Sequence, residues 1–440
     1  MSPNQPRSSP THTPEPSWSR RSGVVIGTGA LSALLLSACG GGDGGSSGEG
    51  ETLSVWIMEG TNPDASDFFS DVEEAFEEET GATLDIEFVP WGAAHDQFVN
   101  AIAGGTTPDV AEVGTTWTPE FADAGALADL SDLVSEDTRE GYEENLMESG
   151  TYDDAVYGVP WYAGVRAFLY RTDVFEEAGL EEPTTWDEII EVGEGLKEHD
   201  PDTIPFPVPA AQHMVTPFIW GAGGEVATGE GDSWTSGLDS PESEEGIQFY
   251  ADLAVEHDLS TPTASTWDEA DVQDAFAQGD TPMIINGSWT PDTIIDANPD
   301  LEGNIGAFPI PGPDGGLSPS FLGGSHMNVF ETAENPELAW GFVEMMTTGE
   351  FAQRWGEESG YFPATTELLD DLQESEDPLV APFAEQMNEA GASMPVTPEW
   401  GQVEGAQILP SMLQSVLGDS EDVDSAAQDA ADEMNEIFGQ

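Results

Sequence analysis

Apolar and polar positions along this chain change period several times, and each change marks an element. Leu53-Ser54-Val55-Trp56-Ile57 is a compact run that predicts a buried strand, followed by Met58-Glu59-Gly60 and a polar loop. Phe68, Val72, Ala75 and Phe76 then share one face of a helix that starts near Asp67 and stops at Gly81. From Thr83 to Val89 the period is two, with Leu84, Ile86 and Phe88 on one side, ending at Pro90-Trp91. A second helix carries Phe98, Ile102 and Ala103 and closes at Gly104-Gly105. Pro108 to Val113 predicts a third strand, and Thr118-Pro119 opens a helix with proline in its first turn. This strand–helix alternation is that of an α/β fold with a parallel sheet covered by helices. Ligands in such sheets sit beyond the carboxyl ends of the strands. Glu59-Gly60, Trp91 and Thr115-Thr116-Trp117 occupy those ends.

A second α/β stretch follows. Gly158-Val159-Pro160-Trp161-Tyr162 leads into a strand at Ala167-Phe168-Leu169-Tyr170. Thr185-Trp186-Asp187-Glu188 and Thr266-Trp267-Asp268-Glu269 both read as capping boxes at helix starts. Pro282-Met283-Ile284-Ile285 is a short buried strand ending at Asn286-Gly287-Ser288-Trp289. A Pro/Gly-rich turn region from Pro309 to Pro319 precedes the strand-like Met327-Asn328-Val329-Phe330. No internal repeat is visible.

The N-terminus has a different pattern. Arg20-Arg21, a short apolar run from Val24 to Leu36, and Leu36-Ser37-Ala38-Cys39 together form an export signal. The run is shorter than the roughly 20 apolar residues a membrane span needs. Leu-Ser-Ala-Cys resembles the lipobox of bacterial lipoproteins, so residues 1–38 are expected to be a lipoprotein signal peptide and Cys39 the lipidated residue. The paired arginines leave the twin-arginine and general secretory routes both open. Residues 39–50, rich in Gly and Ser, form a tether that cannot bury a core. Cys39 is the only cysteine, so no disulfide can form within the chain.

Charge changes the picture most. The chain has 87 acidic residues against 8 basic, a formal net charge of −79. Beyond the leader only Arg139, Arg166, Arg171, Lys197 and Arg354 are basic. Nucleic-acid binding is excluded, because neutralising phosphates requires a basic surface. Recurring tryptophans and apolar runs exclude a disordered chain. The remaining reading is adaptation to brine, where a Debye length of about 3 Å at 1 M salt screens a dense carboxylate surface.

The order of the pieces resembles a known family. Leu53-Ser54-Val55-Trp56, Thr107-Pro108-Asp109-Val110 and Gly125-Ala126-Leu127 come first, then Gly158-Val159-Pro160 and Leu169-Tyr170-Arg171-Thr172-Asp173-Val174-Phe175. Pro183-Thr184-Thr185-Trp186-Asp187-Glu188, Asn286-Gly287-Ser288-Trp289 and Gly323-Gly324-Ser325 complete the set. In this order and spacing they resemble the carbohydrate-binding branch of the extracellular solute-binding proteins (family 1), which includes maltodextrin- and chitobiose-binding proteins. The first strand and Glu112-Val113-Gly114-Thr115-Thr116 look most similar to actinobacterial binders of chitobiose-like ligands. The resemblance implies a two-lobed, type II periplasmic-binding-protein-like fold, with a hinge and an interlobe ligand cleft. Lobe 1 would take residues 51–162 with 322–362, and lobe 2 residues 163–321 with 363–440. It also implies a monomer anchored by lipid at the outer face of the cell membrane, handing a sugar to an ABC permease.

Sugar sites stack aromatic rings on apolar sugar faces and aim side-chain hydrogen bonds at hydroxyls. Thirteen tryptophans occur, all but Trp18 in the body. Trp91, Trp289 and Trp400 stand where the family's stacking aromatics lie; Trp220 is a further candidate, as are Trp161 and Tyr162, each of which also fits hinge packing. Trp56, Trp186, Trp267, Trp340 and Trp355 read as core. Glu59, Thr115, Thr116, Arg166, Gly324 and Ser325 are the remaining candidates. Glu59 can equally be one more solvated carboxylate, Thr115-Thr116 a helix-entry turn, Arg166 a buried salt bridge, and Gly323-Gly324 a plain turn. No catalytic motif, cofactor motif or metal-ligand spacing appears among the six histidines. A glycoside-degrading lipoprotein and a sugar-sensing receptor protein are the alternatives to an importer component.

The charge reading makes the first prediction. The melting temperature of the mature protein should rise steeply from 0.1 to 3 M sodium chloride, as the screening length falls from about 10 Å to about 3 Å or less. A flat profile would refute adaptation to brine.

Overall fold

Two sheets organise the chain. The computed structural model describes residues 50–439 except 61–63, 231, 232, 374 and 376. The export segment, Cys39 and tether residues 40–49 lie outside them. The strands that carry the architecture are β1 (Thr52–Glu59), β2 (Thr83–Pro90), β3 (Val110–Gly114), β4 (Gly158–Gly164), β5 (Arg166–Arg171) and β6 (Met283–Gly287). They continue with β7 (Ile305–Phe308), β8 (Ser320–Phe321), β9 (Gly323–Val329), β10 (Phe362–Pro363) and β11 (Gly391–Ala392). The first sheet has the order β10-β4-β9-β3-β1-β2 and the second β6-β5-β7.

Period-two burial explains both. In β1, Leu53, Val55 and Ile57 face one core and Met58 the other. In the second sheet Ala167, Leu169, Ile284, Ile305 and Ala307 face one side, while Phe168, Met283, Ile285 and Phe308 face the opposite core. That opposite core also takes in Trp186, Phe218, Tyr250 and Trp400.

β1 pairs in parallel with β2, from Thr52↔Thr83 to Glu59↔Pro90, and with β3. Their carboxyl ends therefore share one edge. The expected all-parallel sheet does not extend further: β9 pairs antiparallel with β3, and β4 antiparallel with β9. The second sheet is antiparallel throughout. The cause is the chain path. β4 leaves the first sheet for the second with only Val165 before β5, and β9 returns with only Leu322 after β8. β9 re-enters the first sheet beside β4 and runs opposite to it.

Local chemistry sets most boundaries. Helix α1 (Ser66–Thr80) ends on Gly81, whose φ of 76° favours glycine. In α2 (Trp91–Gly104) the buried stripe is Ala94, Phe98 and Ala101; Ile102 is half-buried and Ala103 exposed, contrary to expectation. Phe88 is 39% exposed, because β2 is an edge strand. Thr185 caps the helix Trp186–His199, but the Glu188 carboxylate turns to the N–H and Oγ1 of Thr184 rather than completing the box. The second expected box is displaced: Thr266 bonds back to Thr263 O, and Asp268 with Asp271 caps the helix Glu269–Gln278.

Two ionisable groups are buried on opposite faces of the first sheet. Glu112 accepts from Met58 N–H (2.8 Å), Tyr162 Oη (2.5 Å) and Ser325 Oγ (2.8 Å). Burial pushes its carboxyl up to about 7 despite those three donors. His326 meets Thr118 Oγ1 at 2.8 Å and Leu146 O at 2.9 Å, and burial lowers it to about 4. The signs oppose. A carboxyl raised on folding stabilises at low pH and loses that contribution as pH rises from about 4.5 through 7. An imidazole lowered on folding stabilises above about 6.5 and loses that contribution as pH falls through 4.

Glu112→Gln should therefore gain stability relative to the parent as pH rises across that window, and His326→Gln as pH falls. Each change should approach about 3 kcal/mol at its limit. Urea unfolding at fixed salt measures both, and variant profiles parallel to the parent would overturn the assignment.

Candidate ligand-binding site

The shared carboxyl edge of β1, β2 and β3 supplies the first wall. Glu59 stands exposed at the end of β1, in register with Pro90. Trp91 opens α2, and its ring lies 5.6 Å from that of Trp117, just before α3 (Thr118–Asp123). Thr115 is buried and its N–H donates to Gly324 O at 3.1 Å. Gly324 itself tolerates no side chain, since a Cβ there would lie 2.0 Å from Tyr162 O. Ser325, next along β9, faces Glu112 rather than the strand edge.

Facing this wall is one carboxylate. Glu404, on α5 below α4 in sequence order, draws the two sides together; α4 is Gln212–Gly221 and α5 is Pro398–Gly405. Its Oε2 accepts from Thr116 Oγ1 (2.8 Å) and Trp117 Nε1 (2.7 Å). Its Oε1 accepts from Gln212 Nε2 (2.6 Å) and Trp400 Nε1 (3.1 Å). Loss of hydration raises its pKa, and these four hydrogen bonds hold the rise down. Trp400 is fully buried in the second core, so it presents an indole N–H to Glu404 rather than an open ring face. Removing it must therefore cost stability as well.

The second wall begins at Arg166, the head of an aromatic column that reaches back to Tyr162 in the first sheet. The Arg166 guanidinium lies 5.2 Å from the Trp289 ring centroid, a cation–π contact. Trp289 stacks on Tyr361 at 4.7 Å, and Tyr361 on Tyr162 at 4.0 Å. Arg166 Nε also donates to Glu269 Oε1 at 2.6 Å. Two glycines make room for the indole: a Cβ at Gly287 or Gly164 would lie 2.2 or 2.7 Å from Trp289. The Trp289 indole N–H is buried without an acceptor. His213 stacks on Phe321 at 4.7 Å; lost hydration and then the Arg166 charge hold it well below the usual imidazole range, so it is neutral. Trp220 is half-buried against the second core, away from Glu404's hydrogen bonds.

Thr115 and Thr116 also line a cavity of about 20 Å³ with Asn145, Ser149, Phe321, Ser393 and Met394. That is room for about one water, not a sugar ring. Among the described residues no cluster of His, Cys, Asp or Glu is placed to hold a metal ion.

The structure thus brings Thr116 and Trp400 onto one carboxylate, and Arg166 and Trp289 into one column. Reading for strand ends reaches Trp117 but not its partner Glu404, one acidic residue among 87 with no motif around it. Tyr361, just before β10, and Gln212, at the start of α4, carry no local signal. Asn145, Ser149 and Ser393 come together only through tertiary packing.

Comparison with known proteins identifies the family and the fold. The model of the bacterial extracellular solute-binding protein family matches residues 62–352. The diacetylchitobiose-binding protein DasA of Streptomyces coelicolor is 31% identical over 408 residues, covering 90% of this chain and 93% of its own length. A solute-binding protein of an ABC transporter from Thermotoga lettingae, solved with α-D-tagatose, superposes with a TM-score of 0.79 at 26% identity, covering 88% of this chain and all of its own. The GacH receptor of Streptomyces glaucescens, 22% identical over 89% of this chain and 100% of its own, shares the fold with a TM-score of 0.77. The family match over residues 62–352, with a relative 31% identical over 90% of the chain, makes this protein a member of the bacterial extracellular solute-binding proteins.

Proposed function

We propose that the protein captures a short neutral oligosaccharide between its lobes and delivers it to the permease of an ABC importer. The observation that carries this reading is the meeting of indoles, hydroxyl, amide and carboxylate from both walls at Glu404. Flat apolar rings beside fixed polar groups suit a sugar, whose faces are apolar and whose rim is hydroxylated. The relatives named for diacetylchitobiose and maltotriose favour an oligosaccharide.

In this reading the lobes are residues 51–162 with 322–362 and residues 163–321 with 363–440. Trp91, Thr115, Thr116 and Glu59 belong to one wall; Arg166, Trp220, Trp289 and Trp400 to the other; Gly324 and Ser325 to the crossing strand. The protein acts as a monomer, tethered by a lipid on Cys39 at the outer membrane face.

A thermal-shift panel in concentrated sodium chloride tests it, with N,N′-diacetylchitobiose, maltotriose and D-tagatose as probes. At least one oligosaccharide should raise the melting temperature and bind saturably without yielding a product. Trp289→Ala should weaken that binding by about 1–3 kcal/mol and also lower stability, since Trp289 is a buried core residue, whereas Trp186→Ala should lower stability and leave intrinsic affinity intact. A panel that binds nothing, or full affinity in Trp289→Ala, would refute the assignment.

A further inference from the structure

One helix of the second lobe is built to grip the first. Trp400 and Val403 anchor α5 in the second core. Its other face carries Gly401, Glu404 and Gly405, spaced so that all three look towards the first lobe. Gly401 is buried, and a Cβ there would lie 1.9 Å from Glu120 Oε2. At Gly405 a Cβ would lie 3.0 Å from His95 Cε1. His95 and Glu120 are themselves joined, Nε2 to Oε2, at 2.8 Å. Lost hydration acts to lower the His95 pKa, but the Glu120 bond and charge, with Glu404 and Asp96, outweigh it and hold the imidazole up. So the backbone of α5 rests on an ion pair of the first lobe: a side chain at 401 would displace the Glu120 carboxylate, and one at 405 would press on the His95 ring.

Glu404 stands beside this seam. Two of its four donors, Thr116 and Trp117, are first-lobe groups, while Gln212 and Trp400 move with α5. Parting the lobes breaks the first two and leaves the other two made. Each broken bond is charge-assisted, the stronger class of hydrogen bond.

We propose that α5 is a latch: the Glu404 clasp and the Gly401 seam hold the lobes together through the chain's own contacts, before any sugar contributes. A ligand that engages Thr116 or Trp117 then competes with Glu404 for them. This deepens the two-lobed reading but does not depend on which sugar binds.

The test is small-angle scattering of the mature protein in 1 M sodium chloride, with no sugar added. The parent should be compact. Gly401→Leu, which wedges the seam, and Glu404→Gln, which sets an amide N–H₂ against two donors, should both expand it. Thr116→Val removes a single first-lobe donor and leaves α5 untouched, so it serves if either other variant folds poorly. It should lower the closed-to-open ratio about tenfold, the effect of one charge-assisted hydrogen bond. Variants as compact as the parent, or a parent already as expanded as Gly401→Leu, would overturn the latch. Because no sugar is present, this outcome stands apart from that of the binding panel.

Discussion

A carboxylate leaves water only where donors meet it, and two such places shape this molecule. With 87 acidic residues and 8 basic ones, cations cannot supply most of the partners. Glu112 and Glu404 are met instead by neutral donors: a backbone N–H, two indoles, an amide and hydroxyls. Losing any one donor leaves a buried carboxyl group short of a partner, which costs more than the bond contributes when made. Both acids also sit where the two lobes communicate. Glu112 grips Tyr162 on the outgoing strand and Ser325 on the returning one; Glu404 spans the walls themselves.

The first of these centres, Glu112, is connected through stacked rings to Arg166. Tyr162, held by Glu112, stacks on Tyr361, and Tyr361 on Trp289 beneath Arg166. A change in the crossing strands therefore moves the second wall, not only the angle between lobes. Interiors packed to this density transmit displacement rather than absorb it.

How much of this was legible in the sequence depends on range. Compact runs placed β1 and β3, a period-two run placed β2, and the end of α1 followed from Gly81, because these signals act within a few residues. Strand direction beyond β3 did not follow, since it depends on where the chain returns from the second sheet. The displaced cap at Asp268 was decided by whether Thr266 had already spent its hydroxyl on Thr263 O. Trp289 was recognisable from its turn, but the Gly164 that accommodates it lies on a strand of another segment. Glu404 was invisible because composition hid it: among so many acids, sequence spacing cannot single out the one that is buried.

The same excess of acid bears on selectivity in an unexpected direction. In concentrated salt, screening over about 3 Å removes the influence of the distant surface. A charged sugar would then respond only to groups it touches. Those groups include Glu404, already holding four donors, and Arg166, whose Nε is taken by Glu269 and whose face covers Trp289. His213, the imidazole beside them, is neutral. A uronate would have to draw Arg166 from Glu269, leaving that carboxylate without its partner. A neutral sugar can accept from Thr116, Trp117 or Gln212 while its own hydroxyls donate to Glu404 in place of the donor it displaces. On the proposed reading it is these contacts, rather than the net charge of −79, that would favour an uncharged ligand.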